Sequence, residues 1–232
     1  MRLESATLSQ LAPLTDEAVA ARVVDGDSGA FELLMRRHNQ RLFRTARALL
    51  SSETDAQDAL QEAYLRIYKG LAEFEARSSL ATWMTRIVYH ESIRFRQRRA
   101  RIQGRERTGV PLGSSAGAET LEPLMSNFER MRVFDEAMSV LSDRERSVVM
   151  LRVIQELSTA ETASSLGMTE SNVKVTLFRA KPKLERAFEG TGTEDIRRAL
   201  SFDGERCDRL VAAVFRRLEA SSGGSGGASR GS

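Results

Sequence analysis

Along this chain apolar residues recur at steps of three and four, and no stretch keeps up the alternation that a half-buried strand needs. That spacing restricts the fold to helices. Phe31, Leu34, Met35, Leu42, Ala46 and Leu49 trace one inward stripe, and Leu60, Tyr64, Ile67 and Leu71 a second. Phe128, Met131, Phe134, Met138 and Leu141 trace a third, and Leu210, Val211, Val214 and Leu218 a fourth. Polar caps and turns punctuate the stripes. Thr15 before Asp16 and Glu17 is a helix start, because the hydroxyl accepts from free amides and the acids suit the positive end of the dipole. Asp25, Gly26 and Asp27 break that helix, Ser51 to Asp55 form the next turn, and Ser142 caps a helix expected to end near Leu157. GVPLGSSAGAETLEP, from Gly109 to Pro123, has no apolar period and reads as a strap between two helical units.

The expectation is all-α: two small helical domains joined by a flexible linker, with a C-terminal helical extension. The boundaries expected are a flexible 1–14, a first domain over 15–107, a linker over 108–126 and a second domain over 127–190. A helical extension over 191–220, its helix spanning Glu205 to Leu218, and a disordered tail over 221–232 complete the chain. In that helix Arg206, Arg209, Arg216 and Arg217 are expected outside.

At 232 residues with 41% hydrophobic composition, the chain can fill two ordinary cores. Its formal charge is only +3, but the cations are clustered. Seven arginines fall between Arg94 and Arg107 against Glu106, just after the single tryptophan, Trp83. Interleaved aromatic and guanidinium groups suit a surface that grips unpaired nucleic acid, where π faces stack on bases and cations follow phosphates. The other reading is a core tryptophan followed by a solvated basic helix end. Asp55, Asp58 and Glu62 share roughly one face of the preceding helix, as solvated acids or as a docking patch for a basic partner.

Other chemistry is sparse. The single cysteine, Cys207, cannot form an internal disulfide, and His38 on an apolar face reads as structural. No metal, cofactor or catalytic constellation is expected, and the GlyThrGlyThr run from Gly190 lacks the lysine of a phosphate loop. The N-terminal residues do not resemble a signal peptide, and no run approaches about 18 apolar residues. A cytoplasmic protein without membrane insertion is expected.

The sharpest local pattern is STAETASSLGMTESNVKVTLFRAKPKLERAF. Ser158 or Thr159 starts a short helix with Ala160, Ala163 and Leu166 inward, Gly167 turns the chain, and Thr169 caps a second helix with Val173, Leu177 and Leu184 inward. This is the spacing of a helix-turn-helix, whose second helix enters the major groove of DNA. Its outward residues are Ser171, Asn172, Lys174, Val175, Phe178 and Arg179.

With these segments in place, residues from about Asp16 to Phe188 resemble the extracytoplasmic-function class of bacterial sigma factors. DAQDALQEAYLRIY is similar to the family's region 2.2, FEARSSLATWMTRI to region 2.3, and LSTAETASSLGMTESNVKVTLFRAKPKL to region 4.2. The resemblance implies a promoter-directing transcription initiation factor and not an enzyme. Asp55, Asp58, Gln61 and Glu62 would dock core RNA polymerase through the clamp helices of its β′ subunit. Arg77, Ser78, Ser79, Arg86, Tyr89, His90, Arg94, Arg98 and Arg99 would hold the melted −10 strand. Ser171, Asn172, Lys174, Val175, Phe178 and Arg179, on the second helix of the helix-turn-helix, would read the −35 element, their domain would touch the β flap, and the strap would run towards the RNA exit path. Promoter DNA and an anti-sigma factor complete the implied partners. Members often carry asparagine where His90 stands, and serine and arginine where Val175 and Thr176 stand. Pro182 is expected to kink or stop its helix. A stand-alone helix-turn-helix repressor or activator would explain 159–188 but would leave the two earlier motifs without a shared purpose.

Overall fold

A computed structural model describes residues 13–106, 134–187, 200–202 and 204–223. Helices α1 (Asp16–Val24), α2 (Ala30–Arg47), α3 (Glu53–Gly70) and α4 (Leu80–Glu106) form the first domain, with a 3-10 turn, Leu71–Glu73, after α3. The second domain contains α5 over 134–139, α6 (Asp143–Val149), a π turn (Met150–Ile154), α7 (Thr159–Leu166) and α8 (Glu170–Ala187). Helix α9 (Gly204–Gly223) follows. No strand occurs among the described residues. Residues 1–12, the strap, Phe128, Met131, the run from Gly190 to Thr193 and the tail beyond 223 lie outside the described residues.

Local chemistry sets the helix starts. Thr15 accepts from the Ala18 amide at 3.2 Å and Ser52 from that of Asp55 at 3.3 Å. Ser142 and Ser158 each form a reciprocal capping box, with Glu145 and Glu161. Caps of this kind stabilise a helix by about 1 kcal/mol each. Gly167 ends α7 at φ 63°, a left-handed conformation that glycine adopts without a steric cost.

The first core lies between α2, α3, α4 and α9. Phe31 meets Tyr64 and Tyr68 edge-on, with ring centroids 6.0 and 5.2 Å apart. The Tyr64 hydroxyl donates to Asn39 Oδ1 at 2.5 Å, and the Asn39 amide donates to Cys207 Sγ at 2.8 Å, so one buried polar chain links α3, α2 and α9. Burial raises the Tyr64 pKa well above its usual value. In the second domain, Phe134, Met138, Leu141, Val149, Met150 and Ile154 form one cluster, while Val148, Leu151, Leu157, Ala163 and Val173 form another.

The two domains touch. Arg47 Nη2 pairs with Asp135 at 2.9 Å, Gln155 donates to the Thr45 hydroxyl at 3.2 Å, and Arg96 pairs with Asp143. Ala48 of the first domain and Leu200 join the cluster around Phe134, and Tyr89 packs against both the first core and the helix-turn-helix core.

Several details differ from the sequence expectation, among them α9, which spans Gly204–Gly223 rather than Glu205 to Leu218. The helix expected to reach Leu157 leaves α geometry after Val149, and Glu156 has a positive φ of 57°. The inserted π turn shifts the helical phase, so Val148 and Leu151 face one cluster while Met150 and Ile154 face the other. Ala160 is exposed rather than inward, whereas Thr162 and Ser165 are buried because α4 packs on α7. Pro182 lies inside α8 without ending it, since Lys183 pairs with Glu145 at 2.8 Å and Leu184 packs against the second-domain core. Arg206 is only partly exposed, because it lies over Phe43 and Phe202, 5.2 and 5.4 Å from the ring centroids.

Candidate nucleic-acid interface and docking face

The loop before α4 is fixed by packing. Phe74 and Trp83 approach to 5.3 Å between centroids, and Trp83 covers Gly70, where an added Cβ would meet the indole at 3.3 Å. Trp83 is half-buried and packs against the first core as scaffold. Ala76 adopts φ 52°. Arg77 is exposed and pairs with Glu75, Ser78 is half-buried, and Ser79 caps α4 by accepting from the Thr82 amide at 3.2 Å.

Along α4 the expected strand-holding residues share one helix, but the chain itself engages several of them. Arg86 Nε donates to the Ser164 carbonyl of α7 at 3.1 Å, and Tyr89 packs between the domains. Arg94 pairs at 2.7 Å with the buried Glu91, which also takes Arg66 at 2.8 Å. Arg98 lies 5.7 Å from the Phe95 ring centroid, and Arg99 pairs with Asp55. His90 is exposed. Partial burial, then Arg94 and Arg86, lower its pKa, so at neutral pH the ring is uncharged and offers one donor and one acceptor.

On α3, Asp55 is nearly buried beneath Arg99, Asp58 is exposed, and Gln61 and Glu62 are half-buried. Desolvation and then Asp55 raise the Asp58 pKa, with Arg99 and Arg217 opposing them. Glu62 pairs with Arg217 of α9 at 2.8 Å. The three acids gather on one face as expected. Their arginine partners escaped sequence reading because these lie 44 and 155 residues away.

Helix α8 presents the opposite picture. Thr169 caps it by accepting from the Asn172 amide at 3.2 Å, and Val173 and Ala180 are buried. Ser171, Asn172, Lys174 and Arg179 are exposed, as are Val175 at 48% and Phe178 at 80%. The outer face is therefore polar and basic, with two apolar groups able to meet thymine methyls. Glu145 braces the far end: burial raises its pKa, but Lys183 and Ser142 outweigh that and hold it below the usual value. Among the described residues no cluster of His, Cys, Asp or Glu could hold a metal ion, and no helix is long and apolar enough to cross a membrane.

Comparison with known proteins follows the same division. The family model of Sigma-70 region 2 matches residues 34–102, and that of Sigma-70, region 4 matches residues 131–184. The ECF RNA polymerase sigma factor SigM of Mycobacterium tuberculosis H37Rv is 32% identical over 175 residues, which cover 74% of this chain and 84% of SigM. The RNA polymerase sigma-E factor of Streptomyces antibioticus is 34% identical over 185 residues, covering 80% of this chain and 98% of that factor. The fold is shared with the sigma factor RpoE of Bartonella quintana, solved in complex with the anti-sigma factor NepR. That match has a TM-score of 0.54 at 21% identity over 69% of this chain and 95% of the other. This chain belongs to the extracytoplasmic-function class of the sigma-70 family of RNA polymerase sigma factors.

Proposed function

We propose that the chain binds core RNA polymerase and directs it to specific promoters, with α8 reading the −35 element and the loop from Arg77 to Ser79 together with α4 capturing the melted −10 strand. The observation that carries this reading is the pairing of a region 2 domain with a region 4 domain whose recognition face, from Ser171 to Arg179, stands open to solvent. A stand-alone repressor is not favoured, because it leaves the first domain and its acidic helix without a task.

The mechanism requires no covalent step. Extruding a base from duplex DNA costs on the order of a few kcal/mol, and stacking with pocket contacts returns about 1–3 kcal/mol per base. A protein that binds only the open strand shifts the equilibrium towards opening. In this reading Arg86, Tyr89, His90, Arg94 and Arg98 line the strand path, with the neutral His90 ring choosing a base by its single donor and acceptor. Arg99 follows phosphate once it leaves Asp55. Asp55, Asp58, Gln61 and Glu62 form the polymerase-docking face, which the β′ clamp helices would take, while the second domain touches the β flap. An anti-sigma factor is a further proposed partner, since a fold relative was solved with one. The proposed site of action is the cytoplasm, where the polymerase works.

Run-off transcription with purified core polymerase and no other sigma factor tests the reading. The expected result is product from discrete start sites on a promoter library. Uniform or absent initiation, with duplex binding retained, would instead identify a repressor or activator.

A further inference from the structure

The acidic face of α3 is not vacant in the free chain. Helix α9 lies along α2 and α3, with Leu210, Val211, Val214, Phe215 and Leu218 buried in the first core. Its approach is fixed before the helix begins. Phe202 stacks on Phe43 of α2 with centroids 4.2 Å apart and planes at 22°, and the Gln40 side chain accepts from the Phe202 amide while donating to the Leu200 carbonyl. The charges then match across the contact. Arg206 pairs with Glu53 at 2.6 Å, and Arg217 pairs with Glu62 at 2.8 Å while its charge also bears on Asp58. An apolar stripe alone would pack against many surfaces, but arginines placed over acids on α3 select this one.

The two ends of the contact differ. Phe202 is 2% exposed and Cys207 7%, and Cys207 closes the buried polar chain through Asn39 and Tyr64. At the other end the Arg217 and Glu62 side chains are 43% and 36% exposed, so their ion pair is solvent-screened and weakly held. Separation begins most easily there.

We propose that α9 is a built-in competitor for the polymerase-docking face: its C-terminal half holds Glu62 through Arg217 and sets that charge beside the exposed Asp58 in the free chain, and it peels away when polymerase binds, while the Phe202 and Cys207 end stays anchored. The proposal rests on the reading of α3 as the docking face. The occupant is an amphipathic arginine-bearing helix of this chain, and the incoming partner must itself offer cations to the same carboxylates. A face open in one molecule in ten lowers the apparent affinity about tenfold, so the extension sets how readily this factor captures a shared polymerase.

Amide hydrogen exchange on the full chain, alone and bound to core polymerase, tests this directly. Protection from Val211 to Ser221 should fall at least about tenfold on binding, while amides near Phe202 and Cys207 keep theirs. Unchanged or increased protection across α9 in the complex overturns the proposal. In the full chain, Arg217→Ala should tighten core binding about two- to fivefold, the size expected for loss of one exposed ion pair, and unchanged or weaker binding counts against the proposal. Asp58→Ala separates the two readings. If that variant binds core as tightly as the unaltered chain, the docking assignment fails; if it binds more weakly while α9 stays protected in the complex, only the competitor fails.

Discussion

Helices α4 and α8 are both long and carry arginine, yet the chain treats their working faces in opposite ways. On α8 the face from Ser171 to Arg179 stands in solvent, and among the described residues Lys174 and Arg179 form no ion pair. On α4, Arg86, Arg94, Arg96 and Arg99 are held by Ser164, Glu91, Asp143 and Asp55. Under the proposed function, one helix can meet duplex DNA as it stands. Under the same function the other must exchange internal partners for phosphates: the Arg96 pair is exposed and stabilises by only about 0.2–1 kcal/mol, whereas Arg94 and Arg99 are held by the buried carboxylates of Glu91 and Asp55 and need more in return. In the proposed reading, the contrast puts the step that needs a partner at α4 and leaves groove reading by α8 unhindered.

The largest expected effect tests whether the two domains act as one body. Phe134→Ala empties a buried site in the second domain and should cost about 3–5 kcal/mol. Arg47, Ala48 and Leu200 tie that core to the first domain, so the unfolding midpoint read by Trp83 fluorescence should fall together with the midpoint read by circular dichroism. If the Trp83 midpoint does not move, the domains are independent and α4 is no more restrained than α8. Next in size, Lys174→Ala with Arg179→Ala should weaken binding to a −35 duplex more than tenfold at low salt. The logarithmic salt slope should become shallower by about 1.8, at about 0.9 per phosphate lost. Stability should stay within about 0.5 kcal/mol, since both side chains are exposed. Anisotropy across a salt series gives the slope, and a change in folding midpoint of the same size as the binding loss would contradict an open face. The smallest effect is the coupling between Arg96 and Asp143, whose side chains are 34% and 42% exposed. A double-mutant cycle in urea should return about 0.2–1 kcal/mol. A coupling of zero would leave Arg86 as the main polar restraint between α4 and the second domain.

What could be read in the sequence was what local physics decides. Thr15, Ser142, Ser158 and Thr169 cap their helices because a hydroxyl meets an amide three residues on, and Gly167 turns because only glycine takes φ 63° freely. The outward face of α8 followed from the same short period. The phase slip after Val149 was hidden, because it answers two clusters that no single stripe describes. The burial of Thr162 and Ser165 was hidden too, since their polarity argues for solvent until α4 packs over them. Pro182 signalled a kink or an end, and the helix continues past it, where Lys183 and Leu184 make contacts with other elements. At the site, the residue types along α4 were legible, but their partners were not. Arg86 reaches a carbonyl 78 residues on and Arg96 a carboxylate 47 residues on, distances that only tertiary packing closes.

The bend at Ala76 has a kinetic and entropic side. An alanine at φ 52° sits about 1–2 kcal/mol above its preferred basins, and it is kept there by the clamp of Phe74 on Trp83 and the cap at Ser79. Glycine would take the same bend easily and would also take many others. With alanine, the segment from Glu75 to Ser78 would, under the proposed function, meet an incoming DNA strand in one shape, the ordering entropy of about 1–2 kcal/mol per residue having been surrendered at folding rather than at the promoter.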